Sequence, residues 1–138
     1  MKLTEEYLSS LIFHITGKYK IEIDSKEIDF TPPFKRLSFL GSIENSLNKK
    51  LPKSTDENCD EILLKICKEN YIKIDEKRIN YSYLIDKLSS HFIEPNLIQP
   101  TFLIDHPIEL SPLAKNHHNV KKKKDYFYLT LFEESKYL

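Results

Sequence analysis

Pro100, Pro107 and Pro112 interrupt one largely apolar stretch between Gln99 and Ala114, and their spacing denies that stretch to any helix. Proline has no backbone N–H and its ring clashes with the preceding turn of a helix. The segments between them, Phe102-Leu103-Ile104 and Ile108-Glu109-Leu110, therefore read as extended chain broken at proline positions. Thr31-Pro32-Pro33 acts likewise earlier in the chain, closing whatever strand precedes it.

The remaining sequence is patterned mainly for helices. Leu3, Tyr7, Leu8, Leu11, Ile12 and Ile15 fall on one helical stripe, with His14 at its edge and Gly17 as the stop. Tyr19 to Asp24 alternates with period two, and a turn at Asp24-Ser25-Lys26 leads into Glu27-Ile28-Asp29-Phe30, so a hairpin is expected. A second helix is expected from Arg36 to Asn48, with Leu40, Ile43 and Leu47 inward. A third is expected to start near Ser54, with Glu57 completing a capping box and Cys59, Ile62, Leu63, Ile66 and Cys67 inward. A fourth follows Asn80, presents Tyr81, Leu84, Ile85, Leu88 and Phe92, and ends at Pro95. Lys115 to Lys124 reads as an exposed basic loop, and Tyr126 to Phe132 as a buried strand. Helices grouped apart from strands make an α+β domain.

Charge excludes some functions. The chain has 21 acidic and 21 basic residues, which argues against a surface that coats nucleic acid wholesale. No apolar run approaches the ~20 residues needed to span a membrane. The start of the chain, with Glu5 and Glu6, lacks a signal-peptide pattern, and two cysteines fit a reducing, cytoplasmic setting.

Candidate chemistry is sparse. Asp105, His106 and Ser111 hint at a hydrolase triad, but neighbours on a regular strand point to opposite faces, and no G-x-S-x-G turn is present. Cys59 and Cys67 lie on an apolar helical stripe without a C-x-x-C or a histidine pair, so they read as core thiols rather than metal ligands. Lys121, Lys122, Lys123 and Lys124, beside His117-His118, form either a solvated loop or a contact for a polyanion such as a phosphate backbone. Lys35 and Arg36 could meet phosphate or simply begin a helix. Glu22, Asp24, Glu27 and Asp29 read as the polar face of the hairpin. With glycine only at 17 and 41, there is no glycine-rich phosphate loop.

Two stretches go further than this physics. Asp29-Phe30-Thr31-Pro32-Pro33-Phe34-Lys35-Arg36 and the run from Pro100 to Lys115, which includes Phe102-Leu103-Ile104-Asp105-His106-Pro107 and Leu110-Ser111-Pro112-Leu113-Ala114, resemble class II lysyl-tRNA synthetases. Leu3-Thr4-Glu5 with His14-Ile15-Thr16-Gly17 resembles the helix after the family's second class-defining motif. Leu84-Ile85-Asp86-Lys87-Leu88 and Phe92-Ile93-Glu94 resemble the helix before its proline-rich strand. The resemblance spans roughly residues 2 to 120. It departs at Ser90-His91, where the family has Gly-Glu, and in the tail from 121 to 138, where only Tyr126-Phe127-Tyr128 matches a family strand.

The resemblance implies a partial class II aminoacyl-tRNA synthetase catalytic domain over residues 1–138, with helices packed on an incomplete antiparallel β-sheet and a divergent tail at 121–138. It implies a ligase that activates lysine with ATP and magnesium and transfers it to tRNA(Lys), in a dimeric full-length enzyme. It places the family's motif 2 and motif 3 residues, including its arginines and magnesium-holding carboxylates, outside this segment. The segment is thus expected to contain no catalytic or metal-binding residue of its own, to bind ATP and magnesium poorly, and to be inactive alone. His106, Ser111 and Pro112 are expected to support the substrate pocket. With strands missing, the isolated chain is expected to aggregate, fold loosely or need a partner. The rival expectation is a non-catalytic paralogue that binds RNA or a protein through its basic loop.

Overall fold

Helix α1 runs from Lys2 to Thr16 and stops at Gly17, whose φ of 72° suits a residue without a Cβ and whose N–H donates to the Phe13 carbonyl at 2.8 Å. The computed structural model describes residues 1–110 and the backbone of 123–128. Strands β1 (Lys20–Ile23) and β2 (Lys26–Asp29) follow as the expected antiparallel hairpin. Its two-residue loop places Asp24 and Ser25 both at positive φ, 50° and 63°, as a type I′ turn requires. Gln99 clamps the hairpin from outside. Its Oε1 accepts from the Asp29 N–H at 2.9 Å and its Nε2 donates to the Glu27 carbonyl at 2.8 Å.

Next come β3 (Lys35–Ser38), α2 (Phe39–Leu47), α3 (Cys59–Glu69), α4 (Tyr81–Phe92), β4 (Thr101–Pro107) and β5 (Lys123–Tyr128). The α+β class is as expected, but the larger sheet is mixed rather than wholly antiparallel. β4 lies in its middle, parallel to β3 and antiparallel to β5.

Period-two alternation on β4 divides the interior into two cores. Leu103 faces a helical core built on Phe39, Ile43, Leu63, Leu84, Ile85 and Leu88. Phe102 faces a smaller core with Ile28, Phe30 and Phe34, closed by Leu8 and Ile12 of α1. Asn80 caps α4, its Oδ1 accepting from the Tyr83 N–H at 2.9 Å, and Pro95 sits in the 3₁₀ turn Glu94–Asn96 that ends it.

Several local expectations are corrected. Residues Lys35–Ser38 form a strand, because pairing of Leu37 with Leu103 and Ser38 with Ile104 outweighs local helical patterning; α2 begins only at Phe39. Ser54 caps nothing. The Asp56 carboxylate accepts from the Lys53 N–H at 2.8 Å, a local turn that competes with helix, and α3 starts at Cys59. Ile62 on α3 is exposed. Ile108–Leu110 is a 3₁₀ turn, not extended chain. Lys123 and Lys124 belong to β5 rather than to a loop, and β5 starts before Tyr126. Residues 129–132 of the expected last strand lie outside the described residues.

The largest correction concerns α1. Its buried residues are Glu5 and Ser9, with Leu8 and Ile12 half-buried, while Leu3, Tyr7, Leu11 and Ile15 face outward. The buried set has helical spacing, but two polar side chains disguise it. Ser9 Oγ donates to the Phe30 carbonyl at 2.6 Å, and Glu5 accepts from the Phe34 N–H and from Arg36 on β3, so both are satisfied in the interior.

Candidate functional site

The residues singled out by sequence distribute around β3 and β4. Lys35 and Arg36 lie side by side on β3, in register with Thr101 and Phe102. Lys35 is exposed. Arg36 turns its guanidinium toward α1, where Nη2 lies 3.1 Å from Glu5 Oε1. The same oxygen accepts from the Phe34 backbone N–H at 3.1 Å. The Arg36 guanidinium carbon stands 5.8 Å from the Phe102 ring centroid, adding a cation–π contact. Neither residue starts a helix. Glu5 escaped the sequence reading because a glutamate near a helix N-terminus ordinarily faces solvent, and only the tertiary approach of Phe34 and Arg36 reveals its role.

His106 sits at the far end of β4. The pairing with β5 shifts register between Leu103 and His106, and Asp105 adopts φ of 59° at the shift. This bulge suspends strict alternation, so the simple opposite-faces argument against an Asp105–His106 pairing does not apply locally. It also returns His106 to the helical side of the sheet. Its ring centroid lies 4.3 Å from that of Phe39, and its Nδ1 lies 3.4 Å from the Pro107 carbonyl oxygen. Burial pushes the His106 pKa below its ordinary value, while the Pro107 carbonyl and the charge of Asp86 pull the other way. The ring thus favours its neutral form.

Ser111, Pro112, Lys121 and Lys122 lie outside the described residues. Lys123 and Lys124 are described only as backbone of β5, in register with Pro107 and His106. The cysteines behave as core thiols more than as a reactive pair. Cys67 is fully buried and burial pushes its thiol up to about 11. Cys59, half-buried, is raised by burial and by Asp60. Both shifts keep the thiol protonated and a poor nucleophile.

Among the described residues no three His, Cys, Asp or Glu side chains group to hold a metal ion. They therefore do not form an all-protein magnesium cage. Nor is any helix among them long and apolar enough to cross a membrane.

Comparison with known proteins supplies what this geometry does not. The family of class II tRNA synthetases (D, K and N) matches residues 1–134. A lysine–tRNA ligase of Thermotoga maritima is 40% identical over 132 residues, covering 96% of this chain and 25% of the relative. One from Deinococcus radiodurans is 39% identical over 119 residues, covering 86% of this chain and 22% of its own length. Lysine–tRNA ligase 2 of Methanosarcina mazei is 38% identical over 117 residues, covering 85% and 22%. The chain spans about a quarter of the length of these curated relatives. A match that runs from the first residue of α1 past the end of β5 leaves one conclusion: the chain belongs to the class II tRNA synthetases of the D, K and N group.

Proposed function

We propose that this chain is part of the catalytic domain of a lysine–tRNA ligase and does not activate lysine by itself. The observation that carries the reading is 40% identity across 96% of the chain to only 25% of a lysine–tRNA ligase. In this reading the whole enzyme joins lysine to AMP at the expense of ATP and then transfers it to tRNA(Lys). It works in the cytoplasm as a homodimer with magnesium. Residues 1–138 form one partial domain, divergent from 121 onward.

Physical chemistry explains the expected inactivity. Adenylate formation brings a carboxylate against the α-phosphate of ATP, so both reactants are anionic. The site must gather positive charge around them in a sheltered setting. Arg36 already has Glu5 as a partner, and the described residues lack a ligand set for magnesium. What the segment contributes is scaffolding. In this reading His106, Ser111 and Pro112 support groups that touch substrate. Lys35 and Lys121 to Lys124 are candidates for phosphate contact with tRNA.

The test is lysine-dependent ATP–pyrophosphate exchange by the purified 138-residue chain. No exchange above the lysine-free background is expected, and clear lysine-dependent exchange would overturn the reading. The rival assignment, an RNA- or protein-binding paralogue acting through its basic run, has no observation in its favour among the described residues.

A further inference from the structure

We propose that the outward face of α1 is a docking surface for lysine–tRNA ligase polypeptide lying outside the matched segment. This rests on the reading of the chain as part of such an enzyme.

Leu3, Tyr7, Leu11 and Ile15 recur every fourth residue, so they form one line along α1. They are 79%, 65%, 39% and 69% exposed. Single exposed apolar residues are ordinary on any surface, but a continuous line of them marks a contact. The adjoining face of the same helix is already seated, with Leu8 and Ile12 against the Phe30–Phe102 core and Glu5 and Ser9 bonded into it. An apolar stripe this broad, seated along its Leu8–Ile12 edge and bare along the other, is patterned for burial across its whole width. Helix α1 is also tied by Glu5 to β3, the outer strand of its sheet among the described residues. Stripe and open strand edge therefore belong to one unit, and both want partners.

The length of the relatives identifies the occupant. The matched segment is 25% of the Thermotoga maritima ligase, so three quarters of that polypeptide lies outside it and is available to cover the stripe. The occupant is an apolar surface of the same enzyme, not a nucleic acid, since the stripe itself carries no charge.

The experiment compares thiol labelling of Tyr7→Cys in two settings. One is this chain alone. The other is a chimera in which the chain replaces the matched quarter of the Thermotoga maritima ligase. Tyr71→Cys, at a site 95% exposed, is the control, and proteins without an added cysteine set the background. The expected result is rapid labelling of Tyr7→Cys in the isolated chain and labelling at least ~100-fold slower in the chimera, as for a site reached only by local opening. Tyr71→Cys should label equally in both. Equal labelling of Tyr7→Cys in both settings overturns the proposal, and so does a chimera that fails to fold. Protection already present in a dimer of the isolated chain, seen by light scattering, assigns the face to a second copy and overturns it as well. Lysine-dependent exchange by the chimera is read separately. Protection without exchange supports the docking face while counting against the functional reading.

Discussion

Arg36 on β3 and Glu5 on α1 form an ion pair with Nη2 and Oε1 3.1 Å apart, and Glu5 is only 4% exposed. A buried carboxylate is costly to desolvate unless its oxygens are engaged, and here one oxygen takes both the guanidinium and the Phe34 N–H. The pair fixes α1 against the start of β3. Glu5→Ala should therefore cost about 2–3 kcal/mol, since it orphans a buried backbone N–H as well as an arginine. Arg36→Ala should cost less, about 1–2 kcal/mol, because the Arg36 side chain is 44% exposed and water screens its charge. Glu5→Gln, which keeps an acceptor for Phe34, should fall between Glu5→Ala and the native chain. Urea midpoints of the three variants test this order. Arg36→Ala costing more than Glu5→Ala would refute it.

Leu88 and Leu3 are both leucines on helical stripes, yet one is 0% and the other 79% exposed. Leu88→Ala leaves a cavity in the helical core and should cost about 2–5 kcal/mol. Leu3→Ala should lie within about 0.5 kcal/mol of native. Denaturant unfolding of both variants checks the contrast. A Leu3→Ala loss comparable to that of Leu88→Ala would mean that α1 is seated by its other face.

That contrast also marks where sequence was informative. The helical period of α4 put Leu84, Ile85 and Leu88 inside correctly, because the face that helix buries is apolar apart from Ser89. On α1 the same rule marked a stripe of which only Leu8 and Ile12 reach the core, because the buried face also carries Glu5 and Ser9, whose partners Phe34 and Phe30 are distant in sequence. Strand β3 was hidden for a related reason: Lys35–Ser38 has no strong local preference and becomes a strand through parallel pairing with β4. The bulge at Asp105 has no local signal either, since a non-glycine residue at positive φ is dictated by its surroundings. The candidate site was legible mainly as motif wording. That His106 lies on extended chain was readable, but its seating on Phe39 was not.

That seating gives a pH dependence. Because burial lowers the folded-state pKa of His106, the unfolded chain takes up a proton before the folded chain does. The contribution is fully present above the ordinary histidine value of about 6.5. It declines as pH falls through that value toward the lower folded-state pKa. Stability should therefore drop between pH 7 and about pH 5.5, before most carboxylates titrate. His106→Phe, which keeps a ring against Phe39, should flatten that part of the profile. Urea midpoints measured across the window decide it. A native profile no steeper than that of His106→Phe would contradict the assignment.

The hairpin loop offers a stabilising change. Asp24 and Ser25 both sit in the left-handed region, φ 50° and 63°, with Ile23 and Lys26 closing the strands on either side. An L-residue there crowds its own carbonyl, and the left-handed conformation costs it roughly 1–2 kcal/mol relative to the right-handed one. Aspartate tolerates the strain through local hydrogen bonding better than serine does, and glycine is free of it. Ser25→Gly should therefore relieve strain, offset in part by the greater freedom glycine gives the unfolded chain, for a net gain of about 0.5–1 kcal/mol. Ser25→Val should lose about 1 kcal/mol or more, since a β-branched residue is the least tolerant of positive φ. Thermal midpoints of the two variants should move in opposite directions. Movement of both downward would show that the turn is not of the type that favours glycine at its second position.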